Sequence, residues 1–119
     1  MTTPAHSPAD ESADVVSLDV LAQRLLSEAQ ASTAGRAGRT VAALPGLRAT
    51  LIALHAGQEL AEHQAPGAAL LGCLTGWVRL ATAEQEWALH QRTLIPIPPE
   101  PHRLIADTPA VVMLIVRLT

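Results

Sequence analysis

Two histidines sit where an imidazole could do chemistry. His63 lies in the stretch Gly57-Gln58-Glu59-Leu60-Ala61-Glu62-His63-Gln64-Ala65-Pro66-Gly67. His102 lies in Ile95-Pro96-Ile97-Pro98-Pro99-Glu100-Pro101-His102-Arg103-Leu104. In each stretch one His starts or ends a strand beside a Pro or Gly turn. Imidazoles from two antiparallel strands could converge at one end of a β structure, and imidazole is the commonest metal ligand. Two imidazoles alone hold a metal poorly. A structural zinc site needs four protein ligands and a catalytic one three. Non-haem iron needs two His and a carboxylate.

Few other donors qualify. Glu59 shares strand parity with His63 and would point inward from a regular strand, but it lies four residues away, about 13 Å along it. Gln64 follows His63 directly and so faces the other side. Glu100 belongs to the turn before His102 and is read as facing water. His55 and His90 read as surface residues at strand ends. Cys73 is the single cysteine, so it forms no intrachain disulfide. It reads as a small buried hydrophobe. Trp77 and Trp87 flank a hairpin, with cross-strand packing as their expected role. Arg79, Arg103 and Arg117 are expected to face solvent or a subunit interface. The chain has no Gly-x-Ser-x-Gly, no phosphate loop and no Cys-x-x-Cys.

The elements that must position these residues are mostly short strands. Residues 1–15 are rich in Ser, Thr, Pro, Ala and acid, and read as a disordered tail. Leu18, Leu21, Leu25 and Ala29 recur at helical spacing, predicting a helix over 17–31 with Ser17 as N-cap. Gly35 and Gly38 end it. Strands are predicted at 47–55, 69–74, 77–81, 86–90, 93–97, 102–106 and 110–118. Gly, Pro and acidic residues punctuate them, the pattern of an all-β sandwich or barrel. The last strand is apolar on both faces, as a fully covered strand should be. Residues 16–119 are therefore read as a single domain.

Composition narrows the function. The chain has 119 residues, 49% apolar but only 2% aromatic, with no Phe, Tyr, Lys or Asn. The core must be aliphatic. The net charge is −3 and no arginine cluster stands out, which argues against a nucleic-acid surface. The longest apolar run, 110–116, is too short for a bilayer. The acidic N-terminus lacks an apolar signal segment, so the expected location is the cytoplasm. An apolar fraction this large predicts strands with apolar outer faces, and hence a homodimer.

The two histidine stretches resemble the paired motifs of the cupin superfamily. Gly57, His63 and Gly76 stand at the first motif's spacing. Its second His position falls on Ala65, and its Glu position on Ala69, or on Ala68 with a turn one residue tighter. Ile97-Pro98-Pro99-Glu100-Pro101-His102 matches the Pro-rich turn and His of the second motif, whose Gly positions are missing. The resemblance covers residues 47–118, and the whole chain looks like small one-domain bacterial cupins. It implies an all-β, cupin-type jelly-roll β-barrel with a short N-terminal helix.

Cupins often hold a divalent metal through three His and one Glu, and only His63 and His102 occupy those positions here. The metals to consider are Zn, Fe, Mn or Ni. The expected ligand pocket comprises His63, His102, Ala65, Ala69, Cys73 and Leu104. Cys73 shares parity with Ala69. Three functions follow: a cupin binding a small molecule in the barrel interior; a divalent-metal-dependent dioxygenase or isomerase using His63 and His102; or a dimeric interaction module. Whether the chain is catalytic stays open at this point.

Overall fold

Ser17 starts the first element. Its Oγ accepts a hydrogen bond from the Val20 N–H at 3.3 Å, satisfying one of the unpaired donors of a helix start. Helix α1 then runs over Leu18–Ala31, with Asp19 in the first turn, where its charge suits the helix dipole. Leu21, Ala22, Leu25 and Ala29 form its buried stripe. The chain is seen in a computed structural model that describes residues 15–63 and 67–118, with residues 62 and 63 placed by their backbone. The expected N-terminal tail, apart from Val15, lies outside the described residues.

Nine strands follow among the described residues: β1 Arg36–Leu44, β2 Leu47–Leu54, β3 Glu59–His63, β4 Ala69–Thr75, β5 Trp77–Ala81, β6 Glu86–His90, β7 Thr93–Pro96, β8 His102–Ala106 and β9 Ala110–Arg117. Local chemistry sets the turns between them. Pro45 and Gly46 join β1 to β2, and Gly46 takes φ +81°, open to glycine without a Cβ clash. The Thr82 Oγ1 accepts from the N–H groups of Glu84 and Gln85 at 3.4 and 3.1 Å, folding the β5–β6 turn. Gly76, between β4 and β5, has φ +85°, and a Cβ there would stand 2.3 Å from the Pro109 carbonyl oxygen. No other residue fits that crossing.

The strands form two antiparallel sheets. One has the order β1-β2-β9-β4-β7 and the other β3-β8-β5-β6. Their inner faces share one aliphatic cluster that includes Leu54, Leu71, Val78, Leu80, Leu89, Leu104 and Val112. Helix α1 lies on the outer face of the five-stranded sheet. There Leu21, Leu25 and Ala29 pack with Leu51, Ala53 and Val111. That second layer accounts for the apolar outer face of β9 where Val111 and Met113 meet the helix. The fold is thus mostly β with one short helix. No helix among the described residues is long and apolar enough to cross a membrane.

The sequence-based strand at 47–55 matches β2, and those from 69 onward match β4 to β9. Residues 36–44, where no strand is expected and Gly35 and Gly38 are read only as ending the helix, are instead β1, paired to β2 along its length with one irregularity at Thr40/Ala42. β1 is an edge strand with half its residues exposed, so small residues suffice and the apolar alternation is faint.

Candidate functional site

The turn before β8 fixes His102. Pro98, Pro99 and Pro101 restrict the backbone to extended conformations and remove N–H donors. The His102 Nδ1 lies 3.0 Å from the Glu100 carbonyl oxygen. A carbonyl only accepts, so Nδ1 bears the hydrogen. In the neutral ring Nε2 is then the accepting nitrogen. His102 is 2% exposed and is the one buried polar residue among those described.

His102 opens onto a narrow cavity between the sheets. Ile52, Leu60, Leu71, Leu80, Ile97, Leu104, Val112 and Leu114 complete its wall. The wall draws on both sheets: β2, β4 and β9 on one side, β3, β5 and β8 on the other. Its volume is about 20 Å³, room for about one water molecule. The site is therefore one imidazole set in an aliphatic wall. Anything larger than water must displace a partly buried residue such as Leu60 or Ile97.

The other candidate residues are spread along the fold. His63 ends β3, and the β3–β8 register places it opposite His102. It reaches that position through a bulge between Leu60 and His63; its side chain lies outside the described residues, as does Ala65. Leu104 forms part of the cavity wall. Ala69 is buried, but it borders a groove on the outside of the five-stranded sheet and is not in the wall around His102. Its carbonyl accepts from the Ile97 N–H at 2.9 Å.

Cys73 lies toward the opposite end. Its thiol donates to the Gly76 carbonyl at 3.4 Å, and Gly76 lies at the Ala106 end of β8, because Val78 pairs with Ala106 and Ala81 with Arg103. Burial pushes the Cys73 thiol pKa up, against a smaller opposite effect of a backbone hydrogen bond at Thr75. Such a thiol is a poor nucleophile and a poor metal ligand.

Carboxylates stay outside. Glu59 is exposed and pairs with Arg103 at 3.4 Å; the bulge has broken the parity that would turn it inward. Glu100 is exposed. Among the described residues no three His, Cys, Asp or Glu side chains come together as a metal-binding set. His55 and His90 are both exposed.

The outer face of the four-stranded sheet carries a separate polar cluster. Arg79 bridges Asp107 at 2.9 Å and Glu86 at 3.0 Å, and the Asp107 hydrogen bond is the main cause raising its guanidinium pKa. Trp77, half exposed, tilts against His90 with ring centres 5.3 Å apart. Trp87 instead packs against the inner cluster. The two tryptophans flank the β5–β6 hairpin but face opposite sides of it. The aliphatic wall residues Ile52, Leu60, Leu71, Leu80, Ile97, Val112 and Leu114 were not among the expected site residues. Strand alternation on each side of Leu104 was the signal that could have found them.

No family model and no curated protein matches the chain. Solved structures do. A conserved protein of unknown function from Streptococcus pyogenes superposes with a TM-score of 0.67 at 25% identity, over 74% of this chain and 78% of that one. A cupin superfamily protein from Desulfitobacterium hafniense gives 0.66 at 15% identity, over 71% and 78%. Salicylate 1,2-dioxygenase from Pseudaminobacter salicylatoxidans gives 0.71 at 18% identity, over 82% of this chain but 33% of that enzyme. At such identities the likeness is one of fold. Two antiparallel sheets, a Pro-rich turn leading into a buried histidine and these superpositions agree: the chain has the fold of the cupin structures it superposes on.

Proposed function

We propose that this protein binds a small hydroxylated aliphatic molecule between its sheets, which in this reading close as a jelly-roll barrel. The observation that carries it is a buried imidazole whose Nδ1 is held by the Glu100 carbonyl and whose surroundings are aliphatic. The imidazole would be the polar group facing a ligand hydroxyl, and the leucines, isoleucines and valine would pack on the ligand's carbon skeleton. The cavity of about 20 Å³ admits only water as it stands, so a ligand of a few carbons enters when Leu60 or Ile97 swings away. A thermal-shift panel of two- to six-carbon alcohols and diols tests this, together with native mass spectrometry of freshly purified protein. Stabilisation by members of the panel is expected. No shift across the panel and no co-purified small molecule would refute the proposal.

One observation favours a second reading. The register sets residue 63 opposite His102, which supports a divalent ion, Zn, Fe, Mn or Ni, held by these two histidines. The described residues supply no third donor at the cavity, so further donors would have to come from residues 62–66 or from water. Such an ion would supply Lewis-acid or redox chemistry of the dioxygenase or isomerase type. Elemental analysis after loading tagless protein decides this. Less than about a tenth of an ion per chain rules the reading out, since a useful site refills. The further proposals are a homodimer, supported by exposed Leu44, Leu94 and Trp77, and a cytoplasmic setting, supported by a single free cysteine.

A further inference from the structure

Ile97 stands between two spaces. On one side it helps to close the cavity around His102, with Leu60, Leu71, Leu104 and Leu114. On the other it borders a groove of about 450 Å³ on the outer face of the five-stranded sheet, beside Leu70, Pro96 and Ile115. Among the described residues no other residue borders both spaces. Its place in the chain explains this. Pro96 is the last residue of β7, an edge strand of that sheet, and pairs with Leu70. Ile97 follows it, where the chain leaves the sheet edge for the turn that leads to His102 in the other sheet. A residue at such a crossing is reached from both sides of the sheet. Ile97 is half-buried and packs on the inner aliphatic cluster.

The backbone around Ile97 is fixed. Pro96 and Pro98 flank it and restrict the chain to extended conformations. The Ile97 N–H donates to the Ala69 carbonyl at 2.9 Å. What is left to move is the side chain, and isoleucine, branched at Cβ, has few staggered positions. Opening is therefore a side-chain rotation and not the movement of a loop. Leu60 is also partly buried, but it does not border the groove. We propose that Ile97 gates the inner cavity and that the groove is its vestibule. A small alcohol such as butanol would settle first on Leu70 and Ile115, then pass Ile97 to reach His102. The size of the side chain at position 97 would set which molecules enter. The alcohol as ligand rests on the site proposed above around His102. The gate itself does not need the hydroxyl, because any apolar guest of similar size would take the same route.

Butan-1-ol and dissolved xenon are the two probes, followed by amide chemical shifts and line shapes. Residues 104 and 112 report the cavity, and residues 70 and 115 the groove. Ile97→Ala should bind both probes about tenfold more tightly than wild type, since no side chain has to leave its preferred rotamer. Ile97→Val should lie between the two, and it carries the test if the alanine variant fails to fold. Leu70→Trp narrows the groove without altering the cavity wall, which Leu70 does not line. It should slow association and dissociation alike, about tenfold, and leave the affinity unchanged. Leu94→Ser, exposed and outside the groove, should change neither. Wild-type binding at residues 104 and 112 that no substitution at Ile97 or Leu70 alters would overturn the gate and leave the ligand site standing. Xenon entering the Ile97→Ala cavity while butanol does not would uphold the gate and overturn the alcohol as ligand. No shift at residues 104 and 112 with either probe in any variant would overturn both. Shifts confined to residues 70 and 115, with affinity lost in Leu70→Trp, would make the groove the binding site and overturn the gate.

Discussion

Replacing His102 by leucine separates a functional imidazole from a structural one. The substitution removes the hydrogen bond from Nδ1 to the Glu100 carbonyl at 3.0 Å, and such a bond is worth about 1 kcal/mol net. Glu100 is exposed, so water can replace the lost donor and no buried carbonyl is orphaned. In return a leucine enters an aliphatic wall. Full burial of a leucine is worth about 1.5–3 kcal/mol, and imperfect shape costs about 1–1.5 kcal/mol. The terms nearly cancel, so His102→Leu should change stability by no more than about 1 kcal/mol, or about 4–8 °C in Tm. His102→Ala should cost about 2–3 kcal/mol, because it leaves a void that the surrounding leucines fill only in part. Urea unfolding followed by tryptophan fluorescence and by far-ultraviolet circular dichroism measures both, and coincidence of the two probes checks two-state behaviour. The leucine variant should also lose the alcohol response of the wild-type protein. A cost above about 3 kcal/mol for His102→Leu would refute the reasoning, because the imidazole would then hold the fold together.

Gly76→Ala should destabilise by about 3 kcal/mol, combining left-handed backbone strain with a Cβ driven into the Pro109 backbone; a chemical-denaturation midpoint close to wild type would contradict this. Leu25→Ala should cost about 2–5 kcal/mol, because Leu25 is fully buried on the face of α1 that packs on the sheet, and calorimetric melting checks it. Cys73 has its thiol pKa raised by burial from an ordinary value of 9.0. Its contribution to stability is therefore complete below pH 9.0 and falls as pH rises toward the folded-state pKa. Cys73→Ala should flatten that alkaline fall in urea unfolding measured between about pH 8 and 11. Light scattering at micromolar concentration should give twice the 12.5 kDa chain mass, and a monomer would contradict the homodimer.

Much of this fold is legible along the chain because its elements rest on local chemistry. Ser17 and the Leu18, Leu21, Leu25 repeat specify α1 through capping and period. Strands β4 to β9 are bounded by Gly76, the Thr82–Gln85 turn, Gln91–Arg92, the prolines before His102 and Pro109. β1 escapes because an edge strand under a helix can be built from Arg, Ala, Gly and Thr, whose spacing imitates a linker. The covering role of α1 is equally hidden. A stripe of leucines predicts a partner surface without saying that the surface is the outer face of β2 and β9.

The candidate site was legible on β8 and not on β3, and the difference lies in one extra residue. Along β8 the period of two holds: His102 and Leu104 line the cavity while Arg103 turns out to meet Glu59. On β3, Leu60 also lines the cavity and pairs with Leu104. Two residues separate Leu104 from His102, so an unbroken β3 would bring residue 62 opposite His102. The pairing instead brings residue 63 there. The third residue is absorbed in a bulge, which also leaves Glu59 and residue 63 in different phases of the strand. A bulge belongs to two strands at once, because it exists only relative to the partner's register. Nothing in Glu59-Leu60-Ala61-Glu62-His63 taken alone encodes it. Parity counted along that segment therefore turns Glu59 toward the interior, where the fold has it paired with Arg103 at the surface. That outward turn places the Glu59 carboxylate in its ion pair with Arg103 at the surface, away from the cavity wall that His102 and Leu104 line.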